Sequence, residues 1–197
     1  MDNRANTDSR WRHIISSKLL NLPNALALSR IALVPLMFWL LVDRDNPLLA
    51  DIHVSWLDFF AAFVFVIASV TDFFDGFIAR SWNQITKLGG ILDPLADKML
   101  MLAAFLGLLF IDRASPWAIL IILTREFFIT GLRVQAASEG KSVSSTLSGK
   151  IKTVAQMIAV GFLMMNWPYA TELLWIAVAF TLYSGYEYIK GYMTDLD

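Results

Sequence analysis

Six long apolar stretches succeed one another along the chain, near residues 25 to 42, 57 to 74, 91 to 111, 116 to 137, 149 to 166 and 169 to 189. Each comes close to the about 20 apolar residues that a helix needs to cross a hydrocarbon layer. The pattern therefore predicts an all-α integral membrane bundle of six transmembrane helices. Between the third and fourth stretches only Asp112-Arg113-Ala114-Ser115 intervenes, which makes that pair a helical hairpin. Ahead of the first stretch, Trp11, Ile14, Ile15, Leu19 and Leu22 recur at helical spacing while Arg10, Arg12 and Lys18 take other faces. This is the signature of an amphipathic helix lying on a membrane surface. Its plain role is an interfacial anchor, and its sharper role is headgroup gating or substrate contact. The stretch Asn21-Leu22-Pro23-Asn24 then breaks that helix and turns the chain inward. Residues 1–22 thus form an N-terminal cytoplasmic or interfacial segment and residues 23–197 one transmembrane domain, with no soluble domain, repeat or low-complexity linker.

Composition agrees with lipid as the solvent. The 197 residues are 57% hydrophobic with a mean hydropathy of +0.57, above the usage of soluble domains. A net charge of -1 gives no pull toward nucleic acid, so charge has to be read by position. Arg4, Arg10, Arg12, Lys18, Arg80, Lys87, Lys141, Lys150, Lys152 and Lys190 fall on one side of the expected bundle and only Arg44 and Arg113 on the other. By the positive-inside rule both termini face the cytoplasm. No cleavable signal peptide is expected, because the first 20 residues are charged. Arg30, Lys98, Arg125 and Arg133 lie within spans.

Ionisable groups inside spans cost roughly 2.5 to 3.5 kcal/mol each on insertion scales and mark function by default. Here acids cluster: Asp72 and Asp75 lie three apart at the end of the second span, and Asp93 and Asp97 four apart at the start of the third. Those spacings put each pair on one helix face, so two antiparallel helices can offer four carboxylates to one pocket. Uncompensated, the four would repel and some would protonate. One or two divalent cations remove the conflict. Cysteine is absent, and His13 and His53 stand away from any second nitrogen ligand, so the donors are oxygens and the metal is Mg²⁺ or Mn²⁺, with Ca²⁺ less suited where phosphates also coordinate. Two ions a few ångströms apart suit displacement at phosphorus. Gly76 and Ala79 extend the Asp72 and Asp75 face, and Gly89 stands one turn before Asp93, leaving room for a base or phosphate chain. Pro94 fits a first helical turn, with the third helix starting near residues 90 to 93. Arg80 adds a fixed positive charge. The plain alternative is that these are helix-capping charges in solvent beside ordinary positive-inside residues.

Asp72-x-x-Asp75-Gly76-x-x-Ala79-Arg80, eight further residues, then Gly89-x-x-x-Asp93-x-x-x-Asp97 matches every position of the CDP-alcohol phosphotransferase signature, and the chain resembles that family. The resemblance implies that Asp72, Asp75 and Asp93 bind the metals and that Asp97 both contacts metal and acts as base toward the acceptor hydroxyl. Gly76, Ala79, Arg80 and Gly89, with Asp72 and Asp75, are implied to hold the CDP moiety. It also implies CDP-diacylglycerol as donor, no organic cofactor, a homodimer, and a multi-pass place in the bacterial cytoplasmic membrane with the active site on the cytoplasmic side.

The acceptor is read from bases. Arg125 and Arg133 are about 80° apart around the fourth helix and about 12 Å along it, so with Lys150 at the start of the fifth they form a cluster suited to a phosphate. Lys152 accompanies them. Snorkelling to the membrane interface is the plain reading of these bases. Asn21-Leu-Pro-Asn24 with Arg30 and Pro35, the run Thr124-Arg-Glu-Phe-Phe-Ile-Thr-Gly-Leu-Arg133, and Gly149-Lys-Ile-Lys-Thr-Val-Ala-Gln156 resemble the phosphatidylglycerophosphate synthase branch. That branch implies sn-glycerol 3-phosphate as acceptor, held by Arg125, Arg133 and Lys150. Glu126 either orients Arg125 or simply pairs with it. The sixth stretch carries Trp175, Phe180, Tyr183, Tyr186 and Tyr188 and no motif, and reads as packing and interface belt.

Rival readings are a sister transferase using inositol phosphate, serine or phosphatidylglycerol, a cation transporter, and a structural adaptor. A transporter calls for acids in mid-span or broken helices repeated in two halves, whereas these acids gather at one membrane face. Release of CMP from CDP-diacylglycerol excludes an adaptor.

Overall fold

A computed structural model describes residues 22–49, 51–81, 89–139 and 147–194. Among them are six helices and no strand: α1 Leu22–Val42, α2 Val54–Ser81, α3 Gly89–Phe110, α4 Pro116–Ser138, α5 Leu147–Met164 and α6 Ala170–Thr194. The all-helical reading stands, and each helix falls on one of the six apolar stretches. The surface helix expected before residue 22 lies outside the described residues, as do Lys87 and Lys141.

Local chemistry accounts for the helix ends. Pro23 sits in the first turn of α1, where a missing N–H costs nothing. Pro116 opens α4 after Ser115 in the same way. α3 begins at Gly89, slightly earlier than the spacing predicts, so Pro94 falls in its second turn. The turns after α3 and α5 are tight enough to put Asp112 at φ 55° and Asn166 at φ 51°, the left-handed region that Asp and Asn enter most readily among side-chain-bearing residues.

Two groups of helices make the bundle. α1 packs on α2 and α3, α6 packs on α5 and α4, and α2 and α3 reach across to α5. Although the turn 111–115 joins α3 to α4, it is α6 that α4 mainly packs against. The shared interior holds Met37, Leu41, Phe65, Phe105, Leu163 and Leu174. Buried alanines, among them Ala61, Ala104, Ala159 and Ala177, let the backbones approach, which is how helices pack when water supplies no driving force between them. At Gly107 a Cβ would stand 2.6 Å from a Leu41 methyl, so the side chain of Leu41 fills the space that the glycine leaves between α3 and α1. Inside the α5–α6 contact, Gln156 Nε2 donates to Thr181 Oγ1 at 2.9 Å, and that hydroxyl donates to the Ala177 carbonyl.

The outside of the bundle is apolar as well. Phe59, Phe63 and Val66 on α2, Trp117 and Phe127 on α4, and Leu182 on α6 are exposed, a surface that a water-soluble bundle would not display so widely. Two helices, over Val54–Thr71 and Leu147–Met164, are long and apolar enough to cross a membrane.

Candidate active site

The four aspartates fall on two helices in contact. α2 runs unbroken to Ser81, so Asp72, Asp75, Gly76, Ala79 and Arg80 belong to one helix, and the helical periodicity that sets Asp72 and Asp75 on one face holds throughout. Gly89, Asp93 and Asp97 belong to α3, which contacts α2. Beyond this helical backbone, all of these except Asp97 lie outside the described residues. Asp97 is half-buried, between the buried Ala96 and Leu100.

On α5, the helix that α3 also contacts, Lys152 is interior. Only 6% of Lys152 is exposed, and its ammonium donates to Glu126 Oε1 on α4. The same carboxylate oxygen accepts Arg125 Nη1 at 3.3 Å. Glu126 is thus shared, with the lysine as the closer partner. Lys98, next to Asp97 on α3, donates to Thr130 Oγ1, and Thr130 in turn donates to the Glu126 carbonyl at 2.7 Å. Side-chain bonds therefore join the aspartate helix α3 to α4 through Lys98 and Thr130, and α4 to α5 through Glu126 and Lys152.

Arg125 and Arg133 are both turned toward α6. Arg125 Nη2 donates to Ser184 Oγ at 2.7 Å, and the Arg133 guanidinium lies 5.3 Å from the centroid of the Tyr188 ring. Arg125 also borders a groove of about 590 Å³ between α4 and α6 that includes Leu120, Phe128 and Tyr186. Of the two lysines at the start of α5, Lys150 is exposed and Lys152 is interior. Snorkelling therefore does not describe Lys152. Sequence reasoning missed its bond to Glu126, and it also missed Ser184 as a partner of Arg125. The available signal was faint: a serine, a glycine and a tyrosine within one helical turn of α6 resemble ordinary packing.

At the far end of the bundle a second polar cluster stands. Asp58, 5% exposed, accepts Arg44 Nη2 on Oδ1 and Arg113 Nη2 on Oδ2, each at 2.7 Å. Arg113 Nη1 reaches on to the Met164 carbonyl at 2.6 Å. From Asp58 to Asp72 is about 21 Å along α2, so this cluster is remote from the aspartates. Burial draws the Arg44 guanidinium below its usual range, with Asp58 opposing and Arg113 reinforcing the effect.

Carboxylate positions at one end of two contacting helices, with a partly shielded basic cluster on α4 and α5, are an arrangement that can handle phosphate groups. Comparison with known proteins identifies the family. The family model described as CDP-alcohol phosphatidyltransferase matches residues 20–183, and the chain belongs to that family. Within it, the CDP-diacylglycerol–glycerol-3-phosphate 3-phosphatidyltransferase of Bacillus subtilis (strain 168) is 41% identical over 183 residues, 87% of this chain and 95% of its own. The protein of the same name from Escherichia coli (strain K12) is 38% identical over 187 residues, 89% of this chain and 97% of its own.

Proposed function

We propose that this protein transfers the phosphatidyl group of CDP-diacylglycerol to sn-glycerol 3-phosphate, giving phosphatidylglycerophosphate and CMP. The observation that carries the reading is similarity along nearly the whole chain to relatives named for that reaction.

The donor set suits divalent metal. Two carboxylate positions on α2 and two on α3, on helices in contact, offer only hard oxygen ligands, the preference of Mg²⁺ and Mn²⁺. Asp72, Asp75, Asp93 and Asp97 would hold two such ions, which when bound neutralise charge on a diphosphate. Gly76, Ala79 and Gly89 leave space for the cytidine nucleotide, and Arg80 supplies it with charge. Asp97 takes the proton of the acceptor hydroxyl. The oxygen so freed bonds to the lipid-side phosphorus, the phosphoanhydride bond breaks, and CMP departs with that bonding pair. Arg125, Arg133 and Lys150 hold the acceptor phosphate.

In this reading all six helices cross the bacterial cytoplasmic membrane, with both termini and the active site on the cytoplasmic side, and the protein works as a homodimer. Apolar outer faces on α2, α4 and α6 support the crossing. The charges that lower the apolarity of α3 and α4 are Asp93, Asp97, Lys98, Arg125, Glu126 and Arg133, the residues of the site and its surroundings. Orientation gains support from Arg44 and Arg113, the two bases on the outer side of the bundle, because both are paired to Asp58.

Incubating the purified protein with CDP-diacylglycerol and a panel of acceptors, with and without Mg²⁺ or Mn²⁺, tests this directly. The expected products are CMP and phosphatidylglycerophosphate, from sn-glycerol 3-phosphate and only with metal. Preferential transfer to inositol phosphate, serine or phosphatidylglycerol, or no release of CMP, overturns it.

A further inference from the structure

Among the described residues, two arginine pairs are held in different ways. Arg44 and Arg113 share a buried carboxylate, which cancels one of their two charges. Arg125 and Arg133 rest instead on neutral groups of α6. Ser184, with no exposed surface, accepts Arg125 Nη2 at 2.7 Å. The arginine stem crosses α6 at Gly185, where a Cβ would come within 3.2 Å of Arg125 Cγ. One turn on from Ser184, the buried ring of Tyr188 lies beneath Arg133 at 5.3 Å. Glu126 accepts Arg125 Nη1 at 3.3 Å but is bound more closely by Lys152. A hydroxyl and an aromatic face orient a guanidinium without neutralising it, and one carboxylate, Glu126, serves Arg125 and Lys152 together, so net positive charge remains for an anion.

We propose that Ser184, Gly185 and Tyr188 are positioning residues through which α6 holds Arg125 and Arg133 for the phosphate of the acceptor. The proposal rests on the reading of sn-glycerol 3-phosphate as substrate, and it gives α6 a part in acceptor recognition beyond packing. None of the three touches the acceptor. Each acts through an arginine, so their loss weakens acceptor binding and leaves the donor side alone.

Steady-state kinetics of the full chain in detergent micelles, varying each substrate in turn, test it. Losing a hydrogen bond to a charged group weakens an interaction roughly tenfold or more, so Ser184→Ala is expected to raise KM for sn-glycerol 3-phosphate about tenfold. KM for CDP-diacylglycerol stays within about twofold of wild type. Gly185→Ala, which displaces the Arg125 stem, shifts the acceptor KM in the same direction. Tyr188→Leu raises it about threefold, as loss of a cation–π contact to an exposed guanidinium implies, and Tyr188→Phe leaves it near wild type because the ring is what Arg133 meets. An unchanged acceptor KM in Ser184→Ala overturns the proposal, and so does an equal rise in both KM values, which is the mark of general damage to the fold. Should Gly185→Ala fail to fold, Ser184→Ala and the Tyr188 pair still decide. Wild-type protein that transfers to no phosphorylated acceptor overturns this proposal together with the reading beneath it, whereas normal wild-type transfer with an unaltered Ser184→Ala overturns this proposal alone.

Discussion

Asp58 holds Arg113 at 2.7 Å across 55 residues of sequence, and its other oxygen holds Arg44 at the same distance. One carboxylate therefore ties the loop after α1, the first turns of α2 and the turn between α3 and α4, and through the Met164 carbonyl it reaches the end of α5. Asp58→Ala strands two guanidinium groups. Breaking a buried pair costs about 3 to 5 kcal/mol, and partial solvation of the arginines lowers that to about 2 to 3 kcal/mol. Thermal unfolding in detergent is expected to show the loss, while the rate per folded molecule at the distant aspartates stays near wild type.

Asp97→Asn keeps the size and a similar hydrogen-bonding shape of the side chain but removes its capacity to accept a proton. General base catalysis contributes about 10²- to 10⁴-fold, and transfer is expected to fall by that amount or more with the melting temperature little changed. Near-normal activity would remove Asp97 from the role of base.

Glu126 and Lys152 make a partly buried pair whose partners are separated by 26 residues. Glu126→Gln leaves an ammonium in the interior without its counter-charge, and a stability loss of about 2 to 4 kcal/mol is expected. Replacing both at once, with Glu126→Leu and Lys152→Met, recovers most of it, because the paired charges also carry a desolvation cost. A double-mutant cycle on unfolding reads the coupling, and additive effects would dissolve the pair.

Arg133→Ala is expected to raise the acceptor KM steeply with phosphorylated acceptors. With Tyr188 still in place beneath it, Arg133→Lys restores charge but not the flat fork that stacks on the ring, so recovery is partial. An acceptor KM that does not move in Arg133→Ala would favour an uncharged acceptor.

Treatment with a chelator is expected to abolish transfer, and Mg²⁺ or Mn²⁺ to restore it, while Ca²⁺ restores little. Persistent activity in the metal-free protein would require another way to offset charge among Asp72, Asp75, Asp93 and Asp97.

Much of this was legible before any coordinates. Six helices follow from six apolar runs, and their ends were marked by prolines and short polar turns. The placement of Asp72 with Asp75 and of Asp93 with Asp97 needed only helical periodicity, which is a local property of the chain. Side-chain partners across helices were not legible. Lys150 and Lys152 look equivalent in sequence, yet they stand about 200° apart around α5, so one faces out and the other meets Glu126. Asp58 attracted no notice, because a lone acid near a helix start reads as an ordinary terminal charge. Ser184 carries no sequence signal of its own.

By itself, then, the sequence determined the helical architecture and the aspartate signature, both written in spacings along the chain, and the resemblance that signature carries implied the donor. Only the tertiary structure decided that Lys152 is interior, that Asp58 clamps Arg44 and Arg113, and that Ser184 and Tyr188 carry Arg125 and Arg133. Those facts depend on how each helix is rotated and crossed against its neighbours, and that is fixed by packing over the whole bundle rather than by any local run of residues.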